Sequence, residues 1–344
     1  MDHHRIVVSR YGGPGVLQLT EEPVPKPAAG EARIRVFRAG VALADAMRRE
    51  GVYPGTPAPP FTPGYDIVGE VDAVGEGAPD AWIGRKVIAL TNGIGGYTQY
   101  ICLPVDELVD VPDGVDPDEA VSLALNYVTA WQMLHRFAKV RPGQSILIHG
   151  AAGGVGTALL ELGKLAGLRM YGTASAAKHH ILERFGAVAV DYRTEDFAAR
   201  VLSEEPEGVH AVFDPIGGEN WRRSFRTLRK DGVFVGYGFT SILSDVDSDG
   251  HRQSLLEDWR ALSETRKTPG GQDAHIYSLT TLKRNEPAWY REDLTELLKL
   301  LAEGRIKPIV AAAFPLAEAG RAHEYLGGSS AVGKIVLHCG QNEL

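Results

Sequence analysis

The stretch Ser145–Gly156 reads SILIHGAAGGVG and carries the strongest local structural signal in the chain. Its first residues are apolar, as in a buried parallel strand, and the residues after Gly153 favour a helix. A side chain at Gly153 would hold the backbone away from a pyrophosphate, and one at Gly156 would push the helix off the strand. The stretch therefore predicts a nucleotide site, although a tight turn between strand and helix is the alternative for such glycines. The predicted site residues are Gly150, Gly153, Gly154, Val155 and Gly156.

Length and composition narrow the class of protein. A chain of 344 residues exceeds what one hydrophobic core usually fills, so we expect two domains. The net charge of −8 speaks against nucleic acid and against an anionic membrane surface as partners. Only Cys102 and Cys339 are present, which excludes a disulfide framework and fits a reducing cytoplasm. No stretch approaches a membrane span and the first residues lead directly into a strand, so we expect a cytoplasmic protein without a secretory signal.

Two patterns divide the chain. Short alternating runs up to about residue 120 predict an antiparallel, partly barrelled β domain. Strands that alternate with helices from residue 122 onward predict a doubly wound parallel sheet, the α/β class. The predicted helices are 122–138, 154–166, 176–185, 194–203, 218–228 and 292–302. The predicted strands are 145–149, 168–173, 188–190, 209–213, 232–236, 275–279 and 334–337, the last returning to the first domain. A polar stretch at about 240–271 is interpreted as an insertion that holds a helix over 255–267.

Several motifs along nearly the whole chain resemble those of one family. They are Tyr11–Leu17, Asp45 with Arg49, Gly51 and Tyr53, Pro63–Asp66 with Gly69, Asn126–Ala130, Gly150–Gly156 and Phe213–Gly218. In combination they resemble the zinc-independent medium-chain dehydrogenase/reductases, in the quinone oxidoreductase branch. The resemblance implies a GroES-like catalytic domain made of residues 1–121 and 283–344, and a Rossmann NADP-binding domain over 122–282. It also implies an active site in the cleft between the two domains.

The zinc ligands of related dehydrogenases are missing. Where zinc-dependent members carry a Cys after Gly-Val, this chain has Ala42, and their Gly-His-Glu is replaced by Gly64–Asp66. Two distant cysteines cannot assemble a catalytic or a structural zinc site. His179 and His180 are adjacent on a predicted helix and therefore do not share a face. We expect no metal.

The residues after the second predicted strand favour NADPH over NADH. An NAD site carries an acidic residue there, about 20 residues past the glycines. This chain instead offers Ser175 and Lys178, which suit a 2′-phosphate. The resemblance adds Tyr192 near the adenine. The alternative for Lys178 is a solvated helix residue without a role.

Further cofactor contacts are expected at the carboxyl edge of the sheet. Gly217 follows the fourth strand, and Gly236 with Tyr237 follows the fifth, where backbone passes close to ribose and nicotinamide. The resemblance places Lys334 near the cofactor as well. Simple turn glycines and the start of a strand are the alternatives.

Candidate catalytic residues come from the family-like segments. Without a metal, hydrogen-bond donors must stabilise the oxyanion that forms on the acceptor. Tyr53, Tyr65, Asn126 and Thr129 are the candidates, with Tyr127 beside them. Asp45 and Arg49 are interpreted mainly as a structural pair. These residues predict reduction of a conjugated carbonyl, a quinone or an enone.

Two other functions stay open at this stage. The same scaffold reduces 2-enoyl thioesters and alkenals, and a non-enzymatic nucleotide-binding protein is the less favoured alternative. The expected partners are an apolar small-molecule acceptor and a second copy of the chain, paired through the predicted strand 275–279.

Overall fold

The structure is a computed structural model that describes residues 1–243, 248–328 and 330–340. The strands are β1 Asp2–Val8, β2 Leu17–Pro23, β3 Glu31–Val41, β4 Asp66–Val74, β5 Lys86–Leu90, β6 Tyr100–Pro104, β7 Val109–Asp110, β8 Ser145–Ile148, β9 Arg169–Ala174, β10 Val188–Asp191, β11 Val209–Asp214, β12 Leu228–Gly236, β13 Asp273–Ile276, β14 Val310–Pro315 and β15 Lys334–His338. The α-helices are α1 Leu43–Arg49, α2 Pro117–Ser122, α3 Val128–Gln132, α4 Gly154–Leu165, α5 His179–Arg184, α6 Phe197–Glu204, α7 Glu219–Arg226, α8 Ser248–Thr265, α9 Leu279–Asn285, α10 Pro287–Ala302 and α11 Ala319–Gly327.

The chain divides into two compact units. The first is Met1–Val128 together with Ala288–Leu344, and the second is Thr129–Pro287. The domain bounds named from the sequence, 1–121 with 283–344 and 122–282, stay predictions.

The second unit is built on a parallel sheet of six strands in the order β10-β9-β8-β11-β12-β13. Ile146, Leu147 and Ile148 of β8 are fully buried, as expected for a central strand covered on both faces. The predicted doubly wound α/β fold is confirmed. The strand order reverses between β8 and β11, and ligands of such sheets bind at the carboxyl ends of the strands beside this reversal.

The first unit contains a second sheet, of seven strands, in the order β14-β15-β3-β4-β5-β7, with β6 also paired to β3. Neighbouring strands are antiparallel except β14 and β15. Its buried core includes Ile34, Ile67, Tyr97 and Leu337. β15 pairs with β3, with Ile335 opposite Val41, so the prediction that the last strand returns to the first domain is confirmed.

The helix predicted over 122–138 begins earlier than expected. Asp116 caps its N-terminus by accepting the N–H of Asp118 at 2.8 Å, and Pro117 is the first helical residue. Helical turns then continue to Phe137, with π-helical turns at Leu123–Tyr127 and Met133–Phe137.

The strand predicted over 275–279 was placed too late. β13 ends at Ile276, because Ser278 caps the next helix by accepting the N–H of Thr281 at 3.4 Å. Tyr277 is buried, and its hydroxyl donates to Gln132 at 2.7 Å.

The stretch 240–271, interpreted as an insertion, includes residues 244–247, which lie outside the described residues. Within it, α8 begins at Ser248 rather than at the predicted residue 255. Leu255 and Leu262 are buried, and the Trp259 ring lies 6.1 Å from that of Trp221. The helix therefore packs on the sheet as the connection between parallel strands β12 and β13.

Candidate active site

The glycine stretch forms a tight turn between β8 and α4. Gly150 has φ +62°, which favours glycine, and Gly153 precedes the first helical residue without any side-chain cap. A Cβ at Gly156 would collide with the backbone of Gly150 and Ala151, so glycine lets the helix pack onto the turn. The N–H groups of the first turn, which includes Gly154 and Val155, keep no side-chain acceptor from the cap. Such an N-terminus suits a phosphate group.

Two cations, Lys178 after β9 and Arg193 after β10, lie close together. Burial, and secondly the nearby Arg193 guanidinium, lower the pKa of Lys178. Ser175 precedes the helical turn that carries Lys178, and residues 174–178 contain no carboxylate. Tyr192 is 54% exposed, and the Arg193 guanidinium lies 5.7 Å from its ring centre. Two positive charges, with no carboxylate in residues 174–178, suit a phosphate group.

A buried polar relay stands behind the glycine turn. His149 lies 3.1 Å from the Thr173 hydroxyl and 3.0 Å from the Ser224 hydroxyl. Because Ser224 donates to Asp214 at 2.7 Å, His149 Nε2 donates to Ser224 and its Nδ1 accepts from Thr173. Burial lowers the pKa of His149, so the ring is neutral. These hydrogen bonds connect the carboxyl ends of β8, β9 and β11. No local sequence pattern predicted them.

The other predicted cofactor residues of the second unit follow the next strands. Gly217 has φ +89°, and Tyr237 donates its N–H to the Asp214 carbonyl at 3.1 Å. A Cβ at Gly236 would lie 2.8 Å from the Trp221 ring, so internal packing is sufficient to require that glycine. The turn beside Gly217 is fixed because Asp214 accepts the N–H of Ile216 at 2.7 Å.

Lys334 belongs to the first unit and is engaged by a carboxylate there. Its Nζ lies 2.6 Å from Asp66 Oδ2, and the two side chains are 2% and 0% exposed. A Cβ at Gly40 would collide with both, so the backbone of β3 passes directly over the ion pair. Burial raises the pKa of Asp66, and Lys334 opposes that rise. No local pattern predicts this pairing, because the partners are 268 residues apart.

Tyr53 and Tyr65 lie together around an arginine that the sequence analysis did not single out. Arg48 Nε donates to the Tyr65 hydroxyl at 3.2 Å, and the guanidinium lies 4.6 Å from the ring centre of Tyr53. The two tyrosines are hydrogen-bonded to each other, and burial raises the pKa of Tyr65 far above its usual range. A Cβ at Gly93 would lie 2.7 Å from both Arg48 Nε and Tyr65 Cζ. The arginine and both phenols therefore form one compact cluster, the Arg48 cluster.

Asp45 and Arg49 do not form the pair that was predicted. Asp45 caps α1, accepting the Ala42 N–H at 2.8 Å and the Tyr97 hydroxyl at 3.1 Å. Tyr97 lies 3.1 Å from His323 Nε2, and Arg49 donates to His323 Nδ1 at 3.0 Å. Asp45 and Arg49 are therefore linked through Tyr97 and His323, in a buried chain of four side chains, and not by direct contact. Burial raises the pKa of Asp45 to about 7, and burial with Arg49 lowers that of His323 to about 3.

Asn126, Tyr127 and Thr129 are all buried on the helical segment that follows α2. Asn126 and Tyr127 lie in its first π-helical turn, and Thr129 lies in α3. π-Helical turns inside helices occur often at functional sites.

At the positions where zinc-dependent dehydrogenases carry ligands, the described part of this chain has no set of zinc ligands. Ala42 precedes α1, and Tyr65 belongs to the Arg48 cluster. Within residues 1–243, 248–328 and 330–340, no three His, Cys, Asp or Glu side chains are grouped as metal ligands would be. Zinc independence stays a prediction for metal analysis.

Comparison with known proteins places the chain in a family. Residues 28–113 match the alcohol dehydrogenase GroES-like domain, and residues 185–337 match the zinc-binding dehydrogenase domain. The synaptic vesicle membrane protein VAT-1 homolog of Rattus norvegicus is 32% identical over 342 residues, which cover 96% of this chain and 83% of that protein. None of the helices in the described residues is long and apolar enough to cross a membrane.

Solved structures agree with this placement. The Escherichia coli quinone oxidoreductase complexed with NADPH has a TM-score of 0.85 at 28% identity, covering 97% of this chain and 99% of that one. CurK enoyl reductase has a TM-score of 0.82 at 26% identity, covering 98% of this chain and 99% of that one. The parallel sheet with its glycine turn and the GroES-like sheet define an oxidoreductase fold. The chain belongs to the medium-chain dehydrogenase/reductase superfamily.

Proposed function

We propose that this protein is an NADPH-dependent oxidoreductase that reduces a conjugated carbonyl, a quinone or an enone, without zinc. The observation that carries the proposal is the uncapped N-terminus of α4 behind a glycine turn, at the point where the strand order of the sheet reverses. The similarity to a quinone oxidoreductase that binds NADPH supports it.

The residues present fit NADPH. The turn from Gly150 to Gly156 would hold the pyrophosphate, because its glycines leave the N–H groups of α4 uncovered. Ser175 and Lys178 would hold the 2′-phosphate, and Tyr192 would lie near the adenine. The backbone at Gly217, Gly236 and Tyr237 would approach ribose and nicotinamide, and Lys334 is a further proposed contact. When bound, NADPH supplies the hydride.

Tyr53 and Tyr65 are proposed to border the acceptor, while Asn126 and Thr129 hold the nicotinamide carboxamide or the acceptor carbonyl. Direct interconversion of alcohol and aldehyde asks for a Lewis acid or a strong proton relay to manage an alkoxide. A conjugated acceptor spreads the developing charge, so phenolic donors suffice. The hydrogen-bonded pair of tyrosines supports this assignment.

Phenylalanine variants test the proposed tyrosines. We expect Tyr53→Phe or Tyr65→Phe to lower kcat roughly ten- to a hundredfold, less than the ~10²–10³ typical of an oxyanion-hole donor, because the charge is delocalised. NADPH affinity, measured by nucleotide fluorescence, should change little. Tyr325→Phe is the matched control, since Tyr325 is a half-buried phenol of the same unit. Full kcat in both variants with the best acceptor would reject the assignment.

Reduction of a 2-enoyl thioester or an alkenal is the second candidate, favoured by the similarity to CurK enoyl reductase. NADPH consumption with a panel of quinones, enones and enoyl thioesters separates the candidates. Tight NADPH binding without turnover of any acceptor would favour a non-enzymatic nucleotide-binding protein.

We also propose that the protein is a cytoplasmic homodimer. β13 is the outer strand of the parallel sheet as described, and pairing with a second copy would cover its edge. A monomer mass by light scattering at micromolar concentration would contradict the dimer.

A further inference from the structure

Arg48 is a buried cation whose contacts are all neutral in the described part of the chain. The residue is 6% exposed, and the partners of its side chain are the Tyr65 hydroxyl, the Gly55 carbonyl at 3.5 Å, and the faces of Tyr53 and Tyr65. A buried charge without a counter-ion costs several kcal/mol. The next residue contrasts with it, because Arg49 is ion-paired with Glu50.

The position of the Arg48 guanidinium is fixed from several sides. Nε is held by the Tyr65 hydroxyl, and the flat group lies over the Tyr53 ring. Gly93, with φ +91°, brings the backbone so close that any side chain there would collide with both Arg48 and Tyr65. A cation fixed in this way needs little reorganisation when negative charge develops beside it.

We propose that Arg48 is a catalytic residue that binds the carbonyl oxygen of the acceptor and stabilises the negative charge it gains during reduction. The inference rests on the proposed function and deepens it, because it names the group that receives the charge. It also requires an acceptor whose carbonyl oxygen takes up the negative charge, as in quinones and enones.

The carbonyl oxygen of the acceptor receives two electrons and one proton in this step. Bound NADPH would supply a hydride, a proton with two electrons, to the carbon conjugated with the carbonyl and would become oxidised. The displaced π electrons come to rest on the carbonyl oxygen, where the Arg48 charge offsets them. One proton, from solvent directly or through Tyr65, which solvent then reprotonates, neutralises the oxygen, and oxidised cofactor and reduced acceptor are the products. Arg48 opposes, without cancelling, the rise in the pKa of Tyr65 that burial causes.

Variants that change the charge or the shape of the Arg48 side chain test the proposal through their kcat. Arg48→Met removes the charge and keeps an apolar stem, and we expect kcat to fall by about 10²–10³, as when an oxyanion donor is removed. Arg48→Lys keeps the charge but loses the planar group that lies over Tyr53, and should recover only part of that loss, about tenfold. Arg35→Met is the matched control, because Arg35 also lies over an aromatic ring, that of Phe37, but is exposed. Unchanged kcat in Arg48→Met would overturn the proposal.

Binding of 4-nitrophenolate gives a second readout that needs neither NADPH nor turnover. This probe carries an oxyanion delocalised over a conjugated ring, and its absorbance reports ionisation. The parent protein should bind the anion about tenfold more tightly than Arg48→Met does, and should lower the pKa of the bound probe. Thermal melting and NADPH affinity of each variant establish that it is folded.

The two readouts separate the failure of this inference from that of the proposed function. If no quinone or enone is reduced but the probe binds through Arg48, the proposed function fails and oxyanion binding stands. If the acceptor is reduced equally by the parent and Arg48→Met, only the role of Arg48 fails. Equal probe affinity and equal probe ionisation in the parent and Arg48→Met would overturn the proposal in either case.

Discussion

Replacing Lys334 by methionine will leave the Asp66 carboxylate buried without its cation. Lys334 Nζ lies 2.6 Å from Asp66 Oδ2, and both side chains are almost completely buried. Removing one partner of such a pair costs about 3–5 kcal/mol of the free energy of unfolding. At roughly 2–4 °C per kcal/mol for a unit of about 150–250 residues, the size range of the first unit, Tm should fall by about 6–20 °C.

The loss should depend on pH in a defined direction. Burial already raises the pKa of Asp66 in the folded protein, and removing Lys334 raises it further above the unfolded value of about 3.9. Between these two pKa values the folded state binds more protons than the unfolded state, so stability falls as pH rises. The deficit of Lys334→Met is therefore smallest in acid and reaches its full size above the folded-state pKa of Asp66.

Urea unfolding of parent and variant at about pH 5 and about pH 8 measures this difference. Adding Asp66→Asn to Lys334→Met removes the stranded charge and should restore most of the loss. Lys267→Met is the control, because the Lys267–Asp273 pair is exposed at 55% and 59% and should contribute less than about 1 kcal/mol. Parental stability of Lys334→Met at both pH values would show that the ion pair does not stabilise the fold. Loss of NADPH affinity at parental stability would instead assign Lys334 to the cofactor.

Three further outcomes are expected. NADPH should be preferred over NADH. In kcat/KM, Lys178→Ala should lose roughly 1–3 kcal/mol of that preference, while the control variant Lys164→Ala keeps it. Equal use of both nucleotides by the parent would count against the assignment of Lys178 to the 2′-phosphate. Tyr97→Phe should lower the free energy of unfolding by about 1–3 kcal/mol in urea titrations, because it removes the donor to buried Asp45, and a stability equal to that of the parent would contradict this. Metal analysis should find no stoichiometric zinc and EDTA should leave activity intact, whereas about one zinc per chain, lost together with activity, would reject zinc independence.

The features of the fold that could be predicted are those with local signals. Glycines between an apolar strand and a helix, followed by regular alternation, were sufficient to predict the parallel sheet of the second unit. The late placement of β13 has a local cause, because apolar Tyr277 and Leu279 extended the strand pattern past the helix cap at Ser278. Capping signals also account for the early start at Pro117, where Asp116 caps the helix.

The candidate site was predictable only in part, because much of it depends on contacts between distant residues. Asp45 and Arg49 have helical spacing that favours a direct pair, yet Asp45 caps the helix and Arg49 reaches His323, 274 residues away. Arg48 carries no motif, and its importance appears only once Tyr65 and Gly93 close around it. Sequence patterns report which face of an element is buried, but not which distant side chain meets it there.

Two rates measured in the same preparation distinguish reduction of a conjugated carbonyl from oxidation of an alcohol. One is kcat/KM for NADPH-dependent reduction of a quinone or an enone, and the other is kcat/KM for oxidation of simple alcohols with the oxidised cofactor, both followed by nicotinamide absorbance. We predict that reduction of the conjugated carbonyl is the faster reaction and that NADPH supports it better than NADH does. Faster oxidation of simple alcohols than reduction of any quinone or enone would reject the proposed function.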